Sequence, residues 1–124
     1  MDKGLKYKVF ELQRFIQKTY FDIKTACDVV IYQESNSKYL ISLGFLNKSY
    51  ITYIEAKRFY RENEELKSVE FDNFFNGYAN VEKELKGVIS KEDKNTSWLN
   101  SRIGQFQQEI ENVNDLIKVL KNVR

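Results

Sequence analysis

The sequence predicts an all-α protein: a single helical domain over residues 1–124, folded as an up-and-down antiparallel four-helix bundle with two long and two shorter helices. Three observations carry this. The 124 residues include no proline, so the strongest helix breaker is absent throughout. Four segments repeat apolar residues at alternating spacings of four and three, the period of one helix face. The polar stretches between them are only roughly four to six residues long, a length that favours antiparallel neighbours.

The first segment runs from Leu5 to Gln33. Val9, Leu12, Ile16, Thr19, Ile23, Ala26 and Val30 hold the four-three spacing through seven positions. Phe10, Phe15, Tyr20, Phe21, Cys27 and Val29 widen that stripe on both sides, as expected of a helix packed by several neighbours. "ESNSK" at 34–38 then breaks the pattern with cap- and turn-forming residues.

The second segment runs from Tyr39 to Leu66. Its first part, "YLISLGFL" at 39–46, is apolar on all sides and suits a short buried helix or a strand, with Gly44 weakening either. Two readings follow for the rest. Either Asn47 caps a fresh helix, or one helix passes through Gly44 without a break. Ile51 and Ile54 are expected to face the core, which leaves the neighbouring tyrosines and cations towards the rim.

The third segment, Phe71 to Ile89, carries the stripe Phe71, Phe74, Tyr78, Val81, Leu85 and Val88, with Ser68 or Asp72 at its start. Gly77 inside this stripe is expected to allow close packing, with Tyr78 filling the core. "SKEDKN" at 90–95 is a polar turn. The fourth segment, 95–120, is the most regular: Leu99, Ile103, Phe106, Ile110, Val113, Ile117 and Leu120. Asn95 or Thr96 is a fitting N-cap, and Lys118, Lys121 and Arg124 lie where cations oppose the helix dipole. Gly104 is expected to mark a close helix contact and Trp98 to pack at the helix start, with anchoring of a partner as the alternative for Trp98. Four matching stripes let the chain bury its own seams; a homodimer sharing helices is the alternative.

Composition bounds the chemistry. There is no histidine, which removes His-dependent triads, His general bases and His metal ligands. The one cysteine, Cys27, cannot form an internal disulfide and reads as a small buried hydrophobe. No phosphate-binding glycine loop occurs. Acidic pairs such as Glu64–Glu65 and Glu92–Asp93 sit beside lysines or in turns and read as solvated. No catalytic residue, cofactor or metal is expected. The first fifteen residues have no signal-peptide pattern and no segment is apolar enough to span a bilayer, so a cytoplasmic protein is expected.

Net charge is +2, unevenly spread: residues 1–62 hold 11 Lys/Arg against 7 Asp/Glu, and residues 63–124 hold 9 against 11. Seven of the eight tyrosines also lie in the first half. Within "NKSYITYIEAKRFYRENEEL", Tyr50, Tyr53, Lys57, Tyr60 and Arg61 share one helical face. Tyrosine and arginine dominate binding hot spots because they combine area, rigidity and hydrogen bonding. These five are the candidate partner-binding residues. The expected function is protein–protein recognition, as an adaptor, a structural subunit or an inhibitor. The alternative is nucleic-acid binding through Lys6, Lys8, Arg14, Lys18, Lys57, Arg58 and Arg61, with the tyrosines stacking bases. The lean towards Lys, Asn, Ile, Tyr and Phe resembles that of small helical proteins of phages, plasmids and toxin–immunity systems.

Overall fold

The computed structural model describes residues 3–122. It is a four-helix bundle: α1 (Lys3–Tyr32), α2 (Lys38–Glu62), α3 (Val69–Lys91) and α4 (Ser97–Asn122), with a single 3-10 turn at Glu64–Leu66 between α2 and α3. Among the described residues there is no strand, and 39–46 belongs to an unbroken α2 that passes through Gly44. Each helix runs antiparallel to its neighbours. Ser42 of α2 meets Ala26 of α1, Tyr60 of α2 meets Phe71 of α3, Phe74 of α3 meets Phe106 of α4, and Lys121 of α4 meets Phe10 of α1.

The helix ends follow from local chemistry. Ser68 caps α3, its hydroxyl accepting from Phe71 N at 3.2 Å. Glu92 closes α3 in the left-handed region (φ 46°), and Asp93 N donates back to Val88 O at 3.0 Å. Asn95 Oδ1 accepts from Ser97 N at 3.0 Å where α4 begins. At the other end of α4, Lys121 Nζ lies 4.0 Å from the Phe10 ring centroid and donates to Gln13 Oε1 at 2.8 Å. Arg124 lies outside the described residues.

The core assembles from the predicted stripes of α1, α3 and α4. All seven α1 positions are buried, as are all six of α3 and five of the seven of α4, with Ile110 and Leu120 half-buried. Gly77 is a close-contact position and Tyr78 is fully buried beside it.

α2 turns the opposite way from the expected one. Ile51 is 62% exposed and Ile54 42%, while Ser42, Ser49, Tyr53 and Ala56 face inward. The physical reason is fit. Ala26 and Cys27 on α1 and Ser42, Ser49 and Ala56 on α2 are small, so the two backbones approach closely and leave no room for branched side chains. The buried hydroxyls are satisfied: Ser42 Oγ donates to Ala26 O at 2.8 Å, and Ser49 Oγ donates to Leu46 O at 2.7 Å while lying 2.8 Å from Tyr78 Oη.

Other expectations also change. Phe10 and Phe21 are exposed and do not widen the α1 stripe. A Cβ built on Gly104 would meet nothing within 4 Å, so this glycine marks no close helix contact. Trp98 is 70% exposed and does not pack at the start of α4. Asp22, unremarked in the sequence, is buried with Lys18 Nζ at 3.5 Å from its carboxylate.

Cys27 is fully buried, and burial pushes its thiol up to about 12. The thiolate is the reactive species. A thiol reagent at about pH 8 is therefore expected to leave Cys27 unmodified in the folded chain and to label it fully in guanidinium. Mass spectrometry of both samples checks this; rapid labelling of the folded chain would contradict the packing around Ala26.

Candidate partner-binding cleft between α2 and α3

A cavity of about 670 Å³ opens as a cleft between the last turns of α2, the 3-10 turn and the first turns of α3. Tyr53, Lys57, Tyr60 and Arg61 line it, joined by Lys67, Asp72 and Phe75. Four of the five residues singled out on the α2 face thus converge on one cavity. Tyr50 does not line it. It lies one turn away, its ring 6.1 Å from that of Tyr53 and beneath Lys86 Nζ at 5.8 Å.

The floor is aromatic and continuous with the core. Tyr53 stacks on buried Tyr78 with centroids 4.1 Å apart and tilts against Phe75 at 5.9 Å. Tyr60 contacts Phe75 at 5.1 Å and Phe71 at 5.8 Å. Because these rings are held by the interior, the floor is pre-organised and loses little freedom on contact with a ligand.

Tyr60 also fastens the end of α2 to the start of α3. Its hydroxyl lies 2.8 Å from Asp72 Oδ1 and 3.2 Å from Ser68 O, and accepts from Ser68 N at 3.0 Å. Burial, with the Asp72 carboxylate beside it, pushes the phenol up to about 12. The group is a neutral donor across the ordinary pH range. Asp72 is further engaged by Lys67, whose Nζ is 3.5 Å from Oδ2.

That arrangement leaves two cations uncommitted. Lys57 and Arg61 are one turn apart on α2, both solvent-exposed, and neither joins an ion pair among the described residues. Lys57 Nζ sits 5.7 Å from the Tyr53 ring centroid, a cation over the aromatic floor. Glu64 is the acid at the mouth that has no such engagement. The cleft therefore offers an apolar aromatic surface with a positive rim on its α2 side.

Three of the basic residues of the first half are engaged by carboxylates of the same chain. Lys8 pairs with Glu65, linking the start of α1 to the 3-10 turn; Arg14 pairs with Glu11 at 2.8 Å and Lys18 with Asp22 at 3.5 Å. No group of three or more His, Cys, Asp or Glu side chains among the described residues is placed to hold a metal ion. No described helix is long and apolar enough to cross a membrane.

Sequence reasoning missed Phe75, Lys67 and Asp72 as parts of this site. Their signal lies in the pairing of α3 with α2, which no periodicity within either helix reveals. The chain matches no family model, no curated protein and no solved structure.

Proposed function

We propose that this bundle is a protein–protein interaction module, an adaptor, structural subunit or inhibitor, and that the α2/α3 cleft is its recognition face. The observation that carries the reading is the convergence of Tyr53, Tyr60, Lys57 and Arg61 on one cavity with a rigid aromatic floor. The chemistry fits an acidic segment of a partner carrying at least one bulky apolar side chain. That side chain would cover the Tyr53–Phe75 floor, and its neighbouring carboxylates would meet Lys57 and Arg61. Nucleic-acid binding is less favoured because Lys8, Arg14 and Lys18 are each engaged by a carboxylate of the same chain, which leaves fewer cations to neutralise phosphates.

The test is nuclease-treated affinity capture with the wild-type chain and with the double variant Lys57→Glu/Arg61→Glu. Both positions are exposed, so the variant is expected to fold with an unchanged melting temperature. A stoichiometric protein retained by the wild type and reduced at least about tenfold by the variant is the expected result. Equal recovery by both would remove the cleft as the recognition face. Recovery that vanishes with nuclease would replace the protein reading by the nucleic-acid one.

A further inference from the structure

Among the described residues, six of the thirteen exposed large hydrophobic side chains lie on α2 between positions 40 and 54. A concentration of this kind on one helix marks an interaction surface. The outward stripe is Leu40, Gly44, Asn47, Ile51, Ile54 and Arg58, which keeps the four-three spacing of a helix–helix seam. Leu40 is 74% exposed and Ile51 62%, and nothing lies within 4 Å of where a Cβ would stand on Gly44. The stripe spans about 27 Å of helix at 1.5 Å per residue. It faces away from the buried Ser42, Ser49 and Ala56.

We propose that this face pairs two copies of the chain, with α2 antiparallel to α2 about a two-fold axis near Thr52. The argument for a second copy is charge complementarity. Lys48, Glu55 and Glu62 line one edge of the stripe; Tyr50 and Lys57 line the other. In an antiparallel helix pair each edge meets the same edge of its mate. Setting Ile51 against the partner's Ile54 brings Lys48 opposite the partner's Glu55 and Tyr50 opposite the partner's Lys57, twice each by symmetry. Lys48 and Glu55 join no ion pair within their own chain among the described residues; Lys48 only rests over Phe45, 5.7 Å from the ring centroid.

Alternative pairings are worse. Sliding Ile51 to face the partner's Asn47 sets Lys48 against the partner's Lys48. A parallel pair sets Arg58 against the partner's Arg58 in the seam, and like charges there oppose association. One helix pair of this length covers less than the about 800 Å² per partner of a standard interface, so the dimer is weak and concentration-dependent. The pairing does not depend on the cleft having an occupant. It places both clefts along the same side of the dimer, because the Tyr50–Lys57 edge borders the cleft.

Sedimentation equilibrium of the full chain from about 1 to about 500 µM tests this, since a weak dimer dissociates in that range. The expected mass rises from that of the 14.8 kDa chain towards twice that value. Ile51→Glu, at an exposed position the fold tolerates, is expected to weaken association at least about tenfold. Lys48→Glu is expected to weaken it about threefold to tenfold, and Lys48→Glu with Glu55→Lys to restore it. A chain monomeric at every concentration would overturn the proposal and leave the face to a different occupant. A dimer indifferent to Ile51→Glu would also overturn it, and failure of the charge swap to restore association would overturn the antiparallel register.

Discussion

Replacing Phe106 by alanine is expected to lower the stability of the folded chain by about 3–5 kcal/mol, the range for removing a fully buried phenylalanine. Phe106 is 1% exposed. Its ring centroid lies 5.6 Å from that of Tyr20 on α1, 5.5 Å from Phe74 and 6.4 Å from Tyr78 on α3. One side chain of α4 therefore holds two other helices. Tilted and edge-on ring pairs add to the effect of area alone, and the surrounding rings are too tightly held to collapse into the space left behind. A domain of this size has only about 5–15 kcal/mol to lose, so the variant is expected to fold marginally. Urea unfolding followed by circular dichroism checks this: the midpoint falls while the slope stays constant. Phe106→Leu, which keeps most of the volume, is expected to lose less than half as much. A loss under about 1 kcal/mol for the alanine variant would mean that α4 does not dock through this ring.

Three of the four helices were legible because hydropathy and geometry agree in them. On α1, α3 and α4 the apolar period marks the buried face, and Ser68 at the start of α3 is where capping chemistry places it. On α2 the two disagree. Its buried stripe is Tyr39, Ser42, Leu46, Ser49, Tyr53 and Ala56, continued by half-buried Tyr60. That stripe keeps a strict three-four spacing, with large residues at every seventh position and small ones between. Ranking residues by hydropathy selects Ile51 and Ile54 over Ser42 and Ser49, and so turns the helix to the wrong side. What decides is the shape of the gap left by α1, together with hydroxyls that find carbonyl partners. The alternation of bulk was visible in the sequence; its meaning depended on the small residues of another helix.

The same reversal makes the site readable. Two of the three tyrosines placed towards the rim pack, Tyr53 against Tyr78 and Tyr60 against Phe75, whereas Tyr50 is exposed. Being rooted in the core, they present an ordered floor, whereas the residues offered as core on α2 form an exposed stripe on its far side. That Lys57 and Arg61 share a face with Tyr53 and Tyr60 was legible from helical spacing alone. Their acidic and aromatic counterparts on α3 were not, because pairing between helices is a tertiary fact.

Gly77→Ala is expected to destabilise the bundle by about 1–3 kcal/mol, although alanine is the better helix former by about 1 kcal/mol. A Cβ at this position would run into Glu109 Oε2 and stand 2.9 Å from Phe106 Cδ1. The two obstacles differ in kind. Glu109 is on a flexible stem, and burial already pushes its carboxyl above the usual range, so swinging it into water relieves a desolvation cost. Phe106 is a rigid ring packed against Tyr20, Phe74 and Tyr78, so a shift there disturbs three contacts. Adding Glu109→Ala to Gly77→Ala should accordingly recover little, whereas adding Phe106→Leu should show a coupling of about 0.5–3 kcal/mol in a double-mutant cycle. Gly104→Ala is the control. It lies on α4 with nothing within 4 Å, so the same substitution there is expected to gain about 0.5–1 kcal/mol from helix propensity alone. Opposite signs at the two glycines would tie the loss to the α3–α4 contact. A gain at both would mean that α3 and α4 stand further apart at Gly77 than the ring of Phe106 requires.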